Sequence, residues 1–260
     1  MGTELGRRGV PLPAPLWSAW ALEHAPEVIS AIHADYATVG AGIHTANTFR
    51  TKRRSMGEAW ERAARRAVGL ARGAGGLVAG SVAPLEDCYS PWLSPENPRP
   101  EHAELAAVLA DAGCDLLLCE TFPHVGEALA AVEACVATGV ETWVAFTAGP
   151  DADLLSPEEV ARGAREAVAR GASAVLVNCV PARVTLDYVR ALAGCGVPFG
   201  AYANAGHPTE GLGWEAPSED APERYVALAE TWVEAGATLV GSCCGTGPAH
   251  IRALVGRFGA

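Results

Sequence analysis

The sequence contains no uninterrupted apolar run of about 18 residues, the length a membrane-spanning helix needs. Its opening, MGTELGRRGV, lacks the apolar stretch of a secretory signal. Both absences predict a cytoplasmic protein with no membrane partner. Basic charge is scarce as well, with 19 Lys and Arg against 30 Asp and Glu and a formal net charge of -11. Nucleic acids and anionic membranes attract basic surfaces, so nothing here gives either a reason to bind. No CxxC pair is present, and spacing alone therefore does not declare a metal site. No low-complexity linker or composition break divides the chain, which reads as one domain over residues 1–260.

What is present is apolar and periodic. At 50% hydrophobic and 19% charged residues, the 260-residue chain can bury a large core and is too apolar to be disordered. Short β-rich runs alternate with loops and Ala-rich stretches. The runs are Thr38 to His44, Leu77 to Val82, Asp115 to Cys119, Thr142 to Thr147, Ala174 to Cys179, Val197 to Tyr202 and Thr238 to Cys243. Their starts recur at roughly 23 to 41 residues, which suits a βα unit and predicts a parallel sheet. Between them, Val125, Leu129, Val132 and Val136 fall at helical spacing, with Gly139 as a stop. Another helix starts at Ser156, with Pro157 in its first turn and Glu159 placed for a capping box, and ends at Gly171. The Pro-rich stretch from Ser90 to Pro100 reads as one long loop after a strand.

Seven strands joined in parallel predict an α/β fold, a (β/α)8 TIM-type barrel whose first strand is missing from the N-terminus. The segment GTEL looks like the loop and helix that follow such a strand. A doubly wound open sheet is the alternative. In both architectures the C-terminal ends of the strands form the functional face, and this sorts the eight cysteines. Cys114 and Cys195 enter strands and Cys135 lies in a helix, so these three read as structural. Cys119 and Glu120 are neighbours on a strand, and only one of them can face the barrel axis. Cys88, on a loop at the functional end, reads as a buried apolar residue. Cys179, Cys243 and Cys244 remain, at the ends of two strands that contribute to the same interior layers of a barrel. Both members of the adjacent pair can serve one ion only if the backbone leaves the pleat, which Gly241 and Gly245 permit. Three soft thiolates favour zinc and leave a fourth position for a thiol substrate. A core cysteine beside an adjacent pair without metal, or a redox pair, fits the spacing equally well.

The segment GSCCGTGPAHI, the NC at Asn178 and Cys179, the ET at Glu120 and Thr121, the ANTF at Ala46 to Phe49 and the opening GTELGRRG together resemble the homocysteine S-methyltransferase family. The resemblance runs over essentially the whole chain. It implies a barrel that binds Zn2+ through Cys179, Cys243 and Cys244 and transfers a methyl group to the sulfur of homocysteine, giving methionine. It also implies that Glu120 binds the substrate amino group and that Asn47, Thr48 and Phe49 shape the pocket. Asn178, Tyr202 and Asn204 take supporting positions. The family's DG pair, whose aspartate helps to hold the amino acid, would fall just before Met1 and has no counterpart here. A chain this short leaves no room for separate folate or cobalamin domains, so the expected donor is a small sulfonium, S-methylmethionine or S-adenosylmethionine. The rival readings are methylation of another thiol or selenol, such as selenocysteine, and a barrel that binds zinc or a thiol without turnover. His250 is expected to pack in the first turn of a helix, and His44, His124 and His207 are not expected to be ligands.

Overall fold

A computed structural model describes residues 1–214 and 218–259. Seven strands form one parallel sheet in chain order: β1 (Ile43–Thr45), β2 (Leu77–Val82), β3 (Leu116–Phe122), β4 (Glu141–Phe146), β5 (Ala174–Pro181), β6 (Phe199–Asn204) and β7 (Leu239–Ser242). Helices return the chain between them, notably Trp60–Arg72, Arg99–Asp111, Val125–Val136, Pro157–Ala169, Thr185–Leu192 and Ala221–Glu234, and Pro248–Phe258 follows β7. Three further helices, Gly2–Arg7, Ala21–His24 and Pro26–Thr38, precede β1. The sheet curls, and β1 and β7 are its two edges, unpaired with each other among the described residues. The architecture is a TIM-type α/β barrel short of one strand.

Period-two alternation, with both faces covered, explains why β3 and β5 are apolar up to their C-terminal ends. On β3, Leu117 and Cys119 pack outward with the helices, in a cluster that includes Leu109, Val132 and Val144. Leu116 and Leu118 face the other way, into the curl, where they join Ala79, Ala145, Ala174 and Leu176. A strand covered on both faces has no polar side, and every residue of β3 and β5 is buried.

The helix over Val125–Val136 is present, and Gly139 follows it at φ +79°. The capping box forms as well: the Glu159 backbone N–H donates to Ser156 Oγ at 3.2 Å, and the Ser156 N–H donates to Glu159 Oε2 at 2.9 Å. One strand differs from its sequence reading. Thr38 ends the helix Pro26–Thr38, its hydroxyl donating to the Ala34 carbonyl at 2.9 Å, and Gly40 then turns the chain at φ +93°. Only Ile43–Thr45 is left to pair with β2, through Leu77, Val78 and Ala79. The long loop after β2 contains one short 3-10 turn at Pro91–Leu93 and ends where the helix begins at Arg99.

Candidate functional site

Two strands break their regular pairing near the C-terminal mouth of the sheet. The β3–β4 register shifts between Cys119 and Phe122, and the β5–β6 register shifts between Asn178 and Pro181. At these breaks Thr121 sits at φ +63° and Cys179 at φ +51°, a left-handed backbone that non-glycine residues adopt only when the surroundings enforce it. Asn178 ties the two irregularities together. Its Nδ2 donates to Thr121 Oγ1 at 2.7 Å and its Oδ1 accepts the Thr121 N–H at 3.0 Å. Asn204, at the end of β6, donates to the Cys179 carbonyl at 3.0 Å and accepts the Gly206 N–H at 2.8 Å.

Cys243 and Cys244 lie just past β7. The Cys243 N–H donates to the Ala203 carbonyl at 2.8 Å, and the Cys244 carbonyl accepts from Ala205 at 2.9 Å. The pleat is broken one residue later, at Gly245, whose φ is +81°. A Cβ there would lie 2.7 Å from the Trp214 ring and 2.8 Å from Ala205. Gly241, expected to share this task, stays within β7 and is not among the positive-φ glycines. The break brings the three thiols together. Cys179 Sγ is 3.6 Å from Cys244 Sγ, Cys243 Sγ is 4.0 Å from Cys244 Sγ, and all three lie within 4.8 Å of one another. This is the one cluster of three or more Cys, His or acidic residues with metal-binding spacing among the described residues. Sharing protons with Cys179 and Cys243 holds Cys244 well below the usual thiol range. The same contacts and burial push Cys179 well above it.

Glu120 faces the same cavity. Its neighbour Cys119 points outward, 3.5 Å from Cys135, as pleat alternation requires. The carboxylate accepts the Ser81 hydroxyl at 2.6 Å and the Tyr202 hydroxyl at 3.0 Å. Burial raises its pKa above the ordinary carboxylate value, and these two donors act against that rise. The cavity is large, about 1910 Å3, because it runs from the cysteines down between the facing edges β1 and β7.

Asn47 and Phe49 line this cavity. Asn47 is held by Ser18, accepting its hydroxyl at 2.7 Å and donating to its carbonyl at 2.8 Å. Thr48 does not line it: fully buried, it turns its hydroxyl to the Ser81 carbonyl at 2.8 Å and supports the wall from behind. Cys88 and Tyr89, on the loop after β2, also line the cavity, and burial pushes the Cys88 thiol up to about 12. His250 packs in the first turn of its helix, accepting the Gly247 N–H at 3.2 Å and lying 2.6 Å from the Leu212 carbonyl. His124 caps the helix Val125–Val136 instead of facing the thiols. Ser81 and Ser18, which orient Glu120 and Asn47, carried no signal beyond a lone hydroxyl in apolar surroundings.

Chemistry gathered at the C-terminal ends of a curled parallel sheet places the chain in the class of TIM-type α/β enzymes. More narrowly, it belongs to the homocysteine S-methyltransferase family, whose model matches residues 1–258. Its relatives include the homocysteine S-methyltransferase of Escherichia coli (strain K12), 32% identical over 99% of this chain and 93% of that protein. Another is the selenocysteine methyltransferase of Astragalus bisulcatus, 30% identical over 98% of this chain and 89% of that protein. Among solved structures, the metallated form of the Escherichia coli homocysteine methyltransferase MmuM matches with a TM-score of 0.82 at 29% identity, covering 99% of this chain and 93% of that one.

Proposed function

We propose that the protein transfers a methyl group from a small sulfonium donor, S-methylmethionine or S-adenosylmethionine, to the sulfur of L-homocysteine, giving methionine. The observation that carries this reading is the convergence of three thiols beside one buried carboxylate at the mouth of the sheet. The donor set suits zinc. Tetrahedral coordination with Zn–S bonds of about 2.3 Å spaces sulfurs roughly 3.8 Å apart, between the 3.6 and 4.0 Å separations here. A zinc ion held by Cys179, Cys243 and Cys244 would supply the positive centre that keeps an incoming thiol ionised at neutral pH.

The remaining steps belong to the chain's own groups. Glu120, fixed by Ser81 and Tyr202, takes the ammonium of the amino acid acceptor and so directs its sulfur toward the cysteines. Asn178, Asn204 and Tyr202 support this arrangement, and Asn47 and Phe49 form the wall opposite. Transfer is in line: the acceptor sulfur forms a bond to the methyl carbon as the bond from that carbon to the donor sulfur breaks. The electron pair leaves with the donor, which becomes a neutral thioether, so no general acid is required. The acceptor's thiol proton passes to solvent beforehand. Proximity and orientation of the two substrates supply most of the acceleration.

The relatives that methylate selenocysteine favour a second reading, in which the same site takes a selenol acceptor. Steady-state assays of the zinc-loaded protein with homocysteine and selenocysteine, each against S-methylmethionine, S-adenosylmethionine and betaine, separate the two. Homocysteine with a sulfonium donor is expected to give the highest kcat/KM. A higher value for selenocysteine would move the assignment to the second reading, and no methyl transfer under any pairing would refute both.

A further inference from the structure

Cys243 and Cys244 are adjacent, so their convergence on one point depends on the backbone that follows them. That backbone is gripped from an element more than two hundred residues away in sequence, the helix Gly2–Arg7. Arg7 Nη1 donates to the Thr246 carbonyl at 2.8 Å, and Nη2 donates to the Gly245 carbonyl at 2.8 Å and to the Trp214 carbonyl at 3.0 Å. Nη1 also donates to Glu4 Oε1 at 2.8 Å, and Glu4 is buried. From the same helix, Thr3 Oγ1 accepts the Gly245 N–H at 3.0 Å. The turn is therefore held by its donors and its acceptors at once. Gly247 leaves room for the guanidinium: a Cβ there would lie 2.7 Å from Arg7 Nη1 and 3.1 Å from Glu4 Oε1.

These contacts answer a local need. Past Ser242 the chain leaves the sheet; the Gly245 carbonyl accepts the Trp214 N–H at 2.8 Å, and the Thr246 and Trp214 carbonyls turn to the same guanidinium outside any strand. A planar cation with several fixed donors suits a bridge between three such oxygens, and Arg has that geometry where Lys does not. We infer that Arg7, with Thr3, is a positioning residue for the metal ligands: it fixes the turn after Cys244 and so holds the two adjacent thiols toward Cys179. This rests on the reading of the three cysteines as a metal site. It assigns a purpose to the opening GTELGRRG, which the substrate chemistry leaves unused.

The test measures metal binding by the folded, metal-free protein without reference to turnover. Zinc affinity is determined by competition with a chromophoric chelator, and the site is also loaded with Co2+ so that its visible absorption reports the coordination geometry. Groups that orient metal ligands typically contribute 10- to 100-fold in metal affinity. Arg7→Met is expected to weaken zinc binding by about that factor and to alter the cobalt bands, while far-UV circular dichroism stays that of the parent. Arg7→Lys, which restores the charge but not the fork, is expected to stay within about threefold of Arg7→Met. Parent-like affinity and cobalt bands in Arg7→Met, or full recovery in Arg7→Lys, would overturn the inference. If Arg7→Met does not fold, Thr3→Val carries the test: it removes only the acceptor for Gly245, about a tenfold loss is expected, and an unchanged affinity counts against the clamp. A parent protein that takes up no metal defeats the metal reading and the clamp together, whereas equal affinity in parent and variants defeats the clamp alone.

Discussion

Glu120, the proposed anchor of the acceptor's ammonium, carries a cost in stability. Its carboxyl is buried and its pKa lies above the ordinary value, so between that value and the raised one the folded state holds more protons than the unfolded state. Stability contributed by this group therefore falls as pH rises through that window. Glu120→Gln keeps a group able to meet Ser81 and Tyr202 and removes the buried charge. The variant is expected to melt higher than the parent at pH 8, with the difference closing below about pH 4.5. Its KM for the amino acid acceptor is expected to rise about 10- to 100-fold, the scale of one lost charge-assisted hydrogen bond. Thermal melts across pH, together with KM at pH 8, check both halves. Equal KM values would remove Glu120 from acceptor binding. Pleat alternation made it legible that only one of Cys119 and Glu120 faces inward, and the family resemblance, not alternation, pointed to Glu120. The burial of Thr48 was not legible, because nothing in ANTF distinguishes a side chain facing the cavity from one supporting its wall.

Among the elements, β3 and β5 matter most, because their irregular ends aim Thr121 and Cys179. Glycine usually marks such positions in a sequence, yet here a threonine and a cysteine take left-handed backbone. No composition signal announces them. Asn178 holds the two bulges in place, and Asn178→Leu would leave the buried Thr121 N–H without its acceptor. A loss of about 1–3 kcal/mol in unfolding free energy is expected, measured by urea denaturation of the metal-free protein. A loss below about 0.5 kcal/mol would show that the bulges hold without the bridge. The strands themselves were readable because apolar runs covered on both faces stand out between Ala-rich helices. β1 was misplaced, since the β-branched residues near Thr38 and Val39 mimic a strand while the preceding helix in fact continues through Thr38.

At the scale of the whole molecule, the site is assembled from residues brought together by the curl of the sheet. Cys179 and Cys244 are 65 residues apart in sequence and 3.6 Å apart at sulfur. Strand-end placement made their meeting readable in outline, and the family motif named the residues. The gripping of the turn by Arg7 became visible only in three dimensions, because an arginine that donates to backbone carbonyls leaves no complementary side chain to find. The proposed metal site has one consequence that can be measured on the intact protein: if Cys179, Cys243 and Cys244 hold zinc for the reaction, methyl transfer requires that metal.

The most direct measurement is methyl transfer to homocysteine by the reduced protein as purified, after removal of metal with a chelator, and after zinc is restored, with Cys244→Ser alongside. About one zinc per parent chain is expected, with a loss of at least 100-fold in rate on chelation, recovery with zinc, and neither stoichiometric zinc nor turnover in Cys244→Ser. Full activity in the metal-free parent, or parent-like activity in Cys244→Ser, would contradict the proposed role of the metal.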